Sequence, residues 1–549
     1  MTVTVSEYLL RRLKSLGVDH VFGIPGDYIL PFFEQLVASD VSHVAACNEL
    51  NAGYAADGYA RLRGLGVAAV TYGPGSLSIV NATAGAFAEG VPMLIVTGGP
   101  PREAYSTMPV LHHLLPGKFD ASLKIFEQIT AHACVLDDPL RAGDVIDHAL
   151  GVCLAQRKPV YLEIPQDMQR QRCAEPAQMS FARGICSDPA ELDQAVQMLA
   201  SRVGGGGRTV VLPGHEIQRA GIEDRVRELA EHGGLAVASM FVGKADFIEQ
   251  HPNCIGPYQG AGSGAQVLDY VESADTVIFL GCVASDFNLG GFTAKLREEQ
   301  CVHVLDNRVR VAGRVFSDVS IADLVGGLRT ALPAKPGRPI NAPLQAFAHS
   351  ARKPYQAQPG TALCNRRFYD RIAHFLRAGD VVLADAGCAI NATNLQLPTA
   401  TRYIAACYWA SIGMGFGATL GACFAVAPGQ RVIALEGDGS FQMTAQEVSS
   451  MVRYDKTAIV FVVNNRGYTA ERLIHDGPFN DIADWKYHRL AEVFGGVRGE
   501  DVHTEDDLEV ALARAGQHRG PGPLLIEIHL DPWDASEAFR LMSEALRSH

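Results

Sequence analysis

One aspartate and one asparagine have the side-chain types and the spacing of a magnesium site. Asp438 lies in the run Gly437-Asp438-Gly439-Ser440, and Asn465 closes an Asn-Asn pair further along the chain. A carboxylate and an amide oxygen are hard ligands, which suit Mg²⁺, and this ion keeps open positions for water and phosphate oxygens. Glycines beside it let the backbone approach phosphates. Each motif alone is more often a tight turn or a strand end, but together they favour a metal–diphosphate site.

The segment around the two motifs supplies the elements that would position them. It consists of an apolar strand RVIALE, a turn at GDGS, a helical stretch TAQEVSSMVRYD and a second apolar strand TAIVFVV that ends at Asn464-Asn465. A helical crossover makes the two strands parallel, so their carboxyl ends lie at one edge of the sheet, where α/β proteins bind ligands. The pattern therefore predicts that Asp438 and Asn465 converge.

This segment resembles the diphosphate-binding motif of the thiamine diphosphate (ThDP) enzymes. Its GDGS start and Asn-Asn end match that motif, and the continuation NNRGYTAERLIHDGPFNDI is similar to the pyruvate and indolepyruvate decarboxylase branch. The resemblance extends over nearly the whole chain. It implies that the cofactor is bound at Gly437, Asp438, Gly439, Ser440, Asn465 and Gly467. It further implies that Mg²⁺ is held by the Asp438 carboxylate, the Asn465 side chain and the Gly467 carbonyl.

The same resemblance assigns roles to the groups that would carry the reaction. Glu49, between a predicted strand and a predicted helix, matches the carboxylate that binds the cofactor's pyrimidine ring. Asp27, His112, His113 and Glu471 match the acids and bases of the family. Taken alone, Glu49 is more often a first-turn carboxylate at a helix dipole, and a His-His pair is more often part of a surface loop. Their occurrence beside the diphosphate motif favours catalytic roles.

Two positions depart from the family pattern. In Trp409-Ala410-Ser411-Ile412 an alanine stands where relatives have glycine. The resemblance makes Ile412 the apolar wedge that folds the cofactor, although a plain core position is the alternative, and it makes the Ala410 carbonyl a partner for the cofactor's amino group. The carbonyl contact survives the exchange of glycine for alanine if the backbone at Ala410 has negative φ, but the extra methyl could crowd the pyrimidine ring. After the histidines, Leu114-Leu115-Pro116 replaces Thr-Leu-Gly, which leaves the geometry of that loop open.

Small side chains surround the expected substrate position. By the resemblance, Ala470 and Ile474 flank Glu471 in the substrate pocket, and Ala386 and Cys388 stand where relatives often have larger residues. Less side-chain volume predicts room for a branched-chain or aromatic 2-oxo acid, of the 2-oxoisovalerate, phenylpyruvate or indolepyruvate type. Apolar pockets discriminate by only about 1–3 kcal/mol per methylene, so we expect several substrates to be accepted.

By this resemblance we expect a carboxy-lyase that converts a 2-oxo acid into an aldehyde and CO₂ with ThDP and Mg²⁺, and that carries out carboligation as a side activity. A ThDP-dependent synthase, lyase or flavin-bearing oxidase is the alternative, but those branches generally lack the histidine pair. A nicotinamide dinucleotide fold is a remote alternative, because Gly413, Gly415 and Ala418 spell GxGxxA and Glu436 ends the next strand. A non-catalytic module would not need the acid at Glu471.

Composition limits the classes of partner. The 549-residue chain has a formal net charge of −13 and no long run of Lys or Arg, so no electrostatic footprint for nucleic acid or an anionic membrane is present. It has no apolar run of membrane-spanning length and no signal-peptide core near its start. Its 12 cysteines include no CxxC pair and indicate reduced thiols. We therefore expect a cytoplasmic enzyme that acts on a small molecule.

Alternating apolar strands and small-residue helices predict an α/β fold of three doubly wound parallel-sheet domains. Their expected bounds are 1–175, 185–335 and 355–549, and the resemblance makes them the pyrimidine-binding, central and diphosphate-binding domains. It also implies that ThDP lies between two subunits, with a homodimer as the minimum and a homotetramer as the usual assembly. The four glycines at 204–207 predict a loop, and AFRLMSEALRSH predicts an amphipathic C-terminal helix that packs on the core or covers the site.

Overall fold

The computed structural model describes residues 2–335, 354–405 and 407–547, so most of the predicted linker before the third domain lies outside the described residues. Three sheets, in which parallel pairing predominates, organise the chain and confirm the predicted fold class. The chain divides into two compact units. The first contains Met1–Gly184, Phe416–Pro428 and Thr444–Lys456, and the second contains Ile185–Gly415, Gly429–Met443 and Thr457–His549. Two short segments of the predicted third domain therefore belong to the first unit.

The first unit is built on a six-stranded sheet with the order β3-β2-β4-β5-β7-β6, in which all neighbours are parallel. Its central strands are apolar almost throughout, as expected where helices cover both faces. A short antiparallel pair, β1 with β8, lies outside this sheet. The strands are β1 (Thr2–Thr4), β2 (His20–Gly23), β3 (Ser42–Ala45), β4 (Gly66–Val70), β5 (Met93–Gly99), β6 (His132–Val135), β7 (Val160–Pro165) and β8 (Arg172–Ala174). The helices are α1 (Val5–Ser15), α2 (Leu30–Val37), α3 (Glu49–Arg63), α4 (Pro74–Ser78), α5 (Val80–Ala88), α6 (Arg102–Thr107), α7 (Ala121–Ile129) and α8 (Ala142–Gln156).

The second unit begins with a seven-stranded sheet of order β11-β10-β9-β12-β13-β14-β15, whose last two strands add as an antiparallel hairpin. Residues 205–207 of the predicted glycine loop form a turn and bend before the next strand, whereas Gly204 is the last residue of the preceding helix. The strands are β9 (Thr209–Pro213), β10 (Ala236–Ser239), β11 (Cys254–Pro257), β12 (Thr276–Leu280), β13 (Cys301–Leu305), β14 (Arg308–Val311) and β15 (Arg314–Phe316). The helices are α9 (Pro189–Gly204), α10 (His215–Ala220), α11 (Glu223–Gly233), α12 (Ala265–Glu272) and α13 (Ile321–Ala331).

The third sheet has the order β17-β16-β18-β19-β21-β20, and every neighbouring pair is parallel. Its strands are β16 (Val381–Ala384), β17 (Arg402–Ala405), β18 (Val432–Gly437), β19 (Ile459–Asn464), β20 (Glu500–Val502) and β21 (Leu524–His529). The helices of this part of the chain are α14 (Asn365–Phe375), α15 (Ala386–Asn391), α16 (Met414–Ala425), α17 (Asp438–Thr444), α18 (Glu447–Arg453), α19 (Thr469–Ile474), α20 (Leu490–Val493), α21 (Glu505–Gln517) and α22 (Glu537–Arg547).

The crossover from β18 to β19 differs in detail from the expectation. The two strands are parallel neighbours, with Gly437 paired to Val463, as predicted. The GDGS run is not a separate turn, however, because helix α17 begins directly at Asp438. The Asp438 carboxylate accepts the Gly439 N–H at 2.7 Å and so satisfies a backbone donor at the helix start. The predicted single helix is therefore two helices, α17 and α18.

The C-terminal helix α22 is amphipathic, as predicted. Phe539 and Met542 are buried in the apolar core of the second unit. Arg547 closes the helix against α19 by donating from Nε to the Ile474 carbonyl at 3.0 Å. Within residues 2–335, 354–405 and 407–547, the structure contains no helix that is both long and apolar enough to cross a membrane.

Candidate active site

Three polar groups converge at the carboxyl edge of the third sheet, where Asp438 and Asn465 were predicted to meet. One end of the Asn465 amide lies 3.3 Å from Asp438 Oδ1 and 2.9 Å from the Gly467 carbonyl oxygen. With its nitrogen at that end the amide donates hydrogen bonds to both oxygens, and with its oxygen there it completes an all-oxygen ligand set for a cation. Ligands about 2.1 Å from an octahedral Mg²⁺ are roughly 3.0 Å apart, so this spacing fits the metal.

The surrounding backbone fixes the Asp438 carboxylate. It accepts N–H groups from Gly439 at 2.7 Å and from Gly467 at 3.0 Å. Burial raises the pKa of Asp438 to about 6, against the opposing effect of these hydrogen bonds. Neighbouring groups come so close to Gly439 and Gly467 that neither position has room for a side chain. A Cβ on Gly439 would lie 2.4 Å from the Tyr468 ring. A Cβ on Gly467, where φ is +137°, would lie 2.1 Å from the Asn480 carbonyl oxygen. The donor set and the cradle both fit a metal-bound diphosphate.

A cavity of about 430 Å³ lies beside these oxygens within the second unit. Helix α19 contributes Glu471, and the C-terminal helix contributes Phe539, Met542 and Leu546. The predicted cofactor and substrate residues that line it are Ala386, Cys388, Ala410, Ile412, Gly437, Asp438, Gly439, Ser440, Asn465, Gly467, Ala470, Glu471 and Ile474. The structure therefore brings together, around one cavity, every site residue that the sequence placed in this unit.

The backbone at Ala410 does not meet the condition set for its carbonyl contact. Its φ is +55°, in the left-handed region, and not negative. Glycine adopts this conformation freely, whereas a side chain costs about 1 kcal/mol there. Alanine thus adopts a backbone conformation that favours glycine. Ile412 is half-buried and lines the cavity, which disfavours the alternative of a plain core position.

In the first unit, Asp27 and the two histidines form a cluster. His112 Nε2 lies 2.6 Å from Asp27 Oδ2, and His113 Nδ1 lies 3.9 Å from Asp27 Oδ1. The Tyr28 ring stacks on His112 with centroids 5.2 Å apart. The histidines lie in a loop between α6 and α7, as predicted, and Gly73 allows the loop to approach, because a Cβ there would lie 2.1 Å from the His113 carbonyl oxygen. An imidazole paired with a carboxylate can move a proton.

Glu49 is the first residue of α3, directly after the carboxyl end of β3. The Asn48 side chain caps this helix by accepting the Asn51 N–H at 2.8 Å. A buried carboxylate that the sequence analysis missed holds the same turn: Glu447 Oε1 accepts the Cys47 N–H at 2.7 Å and the Asn51 side-chain N–H at 2.8 Å. The sequence did contain a signal for Glu447, because an acidic residue begins the helical segment EVSSMV, whose other residues are apolar or small. Glu447 therefore positions the segment that carries Glu49.

The geometry of the glycine turn before α16 contradicts the dinucleotide interpretation. Asp385 Oδ2 accepts the N–H groups of Gly413 and Gly415 at 3.0 and 2.9 Å, so a carboxylate already occupies the donors that a diphosphate would need. Glu436, the expected ribose ligand, is fully buried. Burial, and the nearby Asp385 carboxylate, raise the pKa of Glu436 well above its ordinary value. A buried, neutral acid is not placed to bind a ribose at the sheet edge.

Comparisons with known proteins agree with this geometry. Three family models match: the N-terminal TPP binding domain of thiamine pyrophosphate enzymes at residues 3–123, their central domain at 192–334 and their C-terminal TPP binding domain at 385–528. Pyruvate decarboxylase 2 of Arabidopsis thaliana is 35% identical over 97% of this chain and 89% of its own length. Pyruvate decarboxylase of Aspergillus fumigatus is 32% identical over 100% and 97%. The chain belongs to the thiamine diphosphate-dependent 2-oxo acid decarboxylase family.

Proposed function

We propose that this protein is a Mg²⁺-dependent carboxy-lyase that splits a 2-oxo acid into an aldehyde and CO₂ without an external oxidant, and that it favours branched-chain or aromatic 2-oxo acids. The observation that carries the proposal is the cavity that joins the converging oxygens of Asp438, Asn465 and Gly467 to a wall of small side chains. When bound, ThDP supplies the electron sink that cleavage of the bond to the carboxylate requires.

The protein's part begins with holding the cofactor. Asp438, Asn465 and Gly467 would bind Mg²⁺ with oxygen ligands, and the glycines on either side of Asp438 would admit the diphosphate. Glu49 would bind the pyrimidine ring, with the Ala410 carbonyl as partner for its amino group and Ile412 as the apolar wedge.

The protein must also exclude water and move protons. The apolar cavity wall disfavours a charged carboxylate and so favours its loss as CO₂. Asp27, His112, His113 and Glu471 are the acids and bases proposed to protonate the carbon that has lost CO₂ and to release the aldehyde. The 2.6 Å contact between His112 and Asp27 supports this role, because it gives one imidazole a fixed proton partner.

The substrate preference rests on small side chains among those that line the cavity. Ala386, Cys388 and Ala470 contribute small groups, and Met542 and Leu546 contribute flexible apolar ones. Pyruvate is the reference substrate for this comparison, because the relatives are named pyruvate decarboxylases. The methyl group of pyruvate would leave much of the cavity wall without contact. A larger apolar side chain would bury more surface there.

The test is aldehyde release from pyruvate, 2-oxoisovalerate, phenylpyruvate and indolepyruvate with saturating ThDP and Mg²⁺. We expect a higher kcat/KM for the bulky acids, and loss of turnover in Glu49→Gln but not in Glu34→Gln, a matched change in an exposed ion pair with Arg170. Pyruvate as the best substrate would overturn the preference alone. No aldehyde from any acid, with ThDP bound, would overturn the reaction.

Assembly and location remain predictions. We propose a homodimer as the minimum and a homotetramer as the usual assembly, in the cytoplasm, on the family resemblance. Light scattering of the chain with and without ThDP and Mg²⁺ tests the assembly, and a monomer that is active at all concentrations would contradict it.

A further inference from the structure

Titratable side chains gather on one face of the last two strands of the third sheet, the edge strand β20 and its neighbour β21. Strand β20 carries Asp501 and leads into His503, and β21 carries Glu527 and ends at His529. Side chains alternate between sheet faces with a period of two, so each pair points to one face. The parallel register pairs Asp501 with Glu527 and sets the two pairs side by side. With His488, from the turn before α20, these residues are termed the edge cluster.

Imidazole nitrogens of the edge cluster converge on one carboxylate oxygen. Asp501 Oδ1 lies 2.7 Å from His529 Nε2 and 3.3 Å from His503 Nε2. The rings of His503 and His529 stack in parallel with centroids 4.0 Å apart. His488 is buried, and its Nδ1 faces Glu527 Oε2 at 2.6 Å, so it belongs to the inner side of the cluster. The outer side therefore presents two imidazoles and a carboxylate together.

The side-chain types of these groups suit a cation. An imidazole offers a ring nitrogen with a lone pair, and a carboxylate offers two oxygens. Neutral imidazole and ionised carboxylate are the forms that bind metal.

We propose that Asp501, His503 and His529 form a reversible Zn²⁺ site. Ligands about 2.1 Å from a tetrahedral zinc ion are roughly 3.4 Å apart. The two contacts to Asp501 Oδ1, at 2.7 and 3.3 Å, lengthen to reach this spacing, and the three ligand atoms all lie within 4.8 Å of one another. The exposed His503 ring must also turn out of its parallel stack on His529, because the lone pair of each ligating nitrogen lies in its ring plane. Three protein ligands leave the fourth position to water, which favours exchange of the ion over permanent retention.

The buried members of the edge cluster border this site. Glu527 Oε1 lies 3.4 Å from His529 Nε2 and accepts a hydrogen bond from the Asn464 side chain at 2.8 Å. His488 holds the other oxygen of Glu527. Glu527 Oε1 faces the same nitrogen of His529 that would bind the ion. Glu527 thus adds negative charge next to the ion without being needed as a ligand.

Ligand chemistry separates this site from the proposed magnesium site. Two imidazoles favour Zn²⁺, whereas the all-oxygen set at Asp438 favours Mg²⁺. Excess Mg²⁺ will therefore compete poorly at the edge cluster. Zn²⁺ binding at the edge cluster does not require the proposed reaction, so the two can be tested separately.

The experiment titrates Zn²⁺ into the holoenzyme by calorimetry, with ThDP and excess Mg²⁺ filling the cofactor site. Variants His503→Ala and His529→Ala remove one ligand each. His251→Ala is the matched control, since His251 pairs with Glu231 at 3.0 Å without a second imidazole. His112→Ala controls for the Asp27 cluster, whose atoms could also hold a metal. The visible spectrum with Co²⁺ in place of Zn²⁺ reports the coordination number.

We expect one Zn²⁺ per chain in the wild type and in both controls, and weaker binding in each ligand variant. Changes outside the ligand sphere alone cost about 10–100-fold in affinity, so loss of a ligand should cost at least that much. The intense visible bands of four-coordinate Co²⁺ should disappear with His503→Ala. Unchanged affinity in both ligand variants, loss only in His112→Ala, or no binding by the wild type would each overturn the proposal.

Discussion

At the scale of single residues, Ala410 has a backbone conformation that is unfavourable for a residue with a side chain. Its φ of +55° suits glycine, so Ala410→Gly should raise the free energy of unfolding by about 0.5–1 kcal/mol, after allowing for the greater freedom of glycine in the unfolded chain. Chemical denaturation measures this change. The same substitution at Ala513, exposed within α21, should instead lower stability by about 1 kcal/mol. Destabilisation at both positions would contradict the argument.

Two buried glutamates differ in whether they have hydrogen-bond partners. Glu436 is fully buried, and neither carboxyl oxygen has a hydrogen bond among the described residues. Glu163 is also buried, but it accepts hydrogen bonds from the hydroxyls of Tyr105 and Tyr161. Glu436→Met should therefore raise the free energy of unfolding by about 1–3 kcal/mol, because it removes an unsatisfied polar group. Glu163→Met should lower it, since two hydroxyl donors lose their acceptor. Equal effects would show that the partners do not decide the outcome.

Glu163 also gives a dependence of stability on pH. Burial raises its pKa to about 7, against the hydrogen bonds from Tyr105 and Tyr161, whereas the unfolded value is 4.5. Between these values the folded state holds a proton that the unfolded state has lost. The free energy of unfolding should therefore fall as pH rises through this range, by up to about 1.4 kcal/mol per pH unit, and level off above pH 7. Denaturation across pH should show a flatter profile in Glu163→Gln. Parallel profiles would assign the dependence to other groups.

At the scale of elements, the order of motifs was predictable and their local geometry was not. Alternating apolar strands and helices were sufficient to place Asp438 and Asn465 at one edge, because a parallel crossover admits no other arrangement. The left-handed backbone at Ala410 was missed, although the glycine usual in the family was its signal. The edge cluster was invisible because β20 and β21 are joined through α21, and only the strand order places Asp501 beside Glu527.

The start of α3 depends on an element far away in the sequence. Glu447, on α18, holds Cys47 and Asn51 on either side of Glu49. Glu447→Ala should lower kcat by up to about 100-fold, as expected when a catalytic group moves by roughly 1 Å. Glu447→Gln keeps an acceptor oxygen and should recover most of the activity, while Glu492→Ala, an exposed change, should have none of this effect. If Gln fails as badly as Ala while the protein stays folded, the charge of Glu447 matters and not its hydrogen bonds.

At the scale of the whole molecule, cofactor binding and stability are one equilibrium. A ligand that binds only the folded protein stabilises it by about 2.7 kcal/mol at 100 times its Kd, so ThDP with Mg²⁺ should raise the thermal midpoint, and a chelator should reverse the shift. Asp438→Asn should abolish the shift, because it removes a carboxylate from the proposed Mg²⁺ ligands.

The same variant should leave the cofactor-free protein as stable as the wild type or more so. A neutral amide costs less to bury than a carboxylate, and its oxygen can still accept the N–H of Gly439 or Gly467. Stability should therefore change in opposite directions with and without ThDP and Mg²⁺. Calorimetry of the cofactor-free and cofactor-bound protein distinguishes a structural role of Asp438 from a ligand role. Equal destabilisation of both forms by Asp438→Asn would make Asp438 a structural helix cap. A loss of stability confined to the cofactor-bound form would make it a ligand.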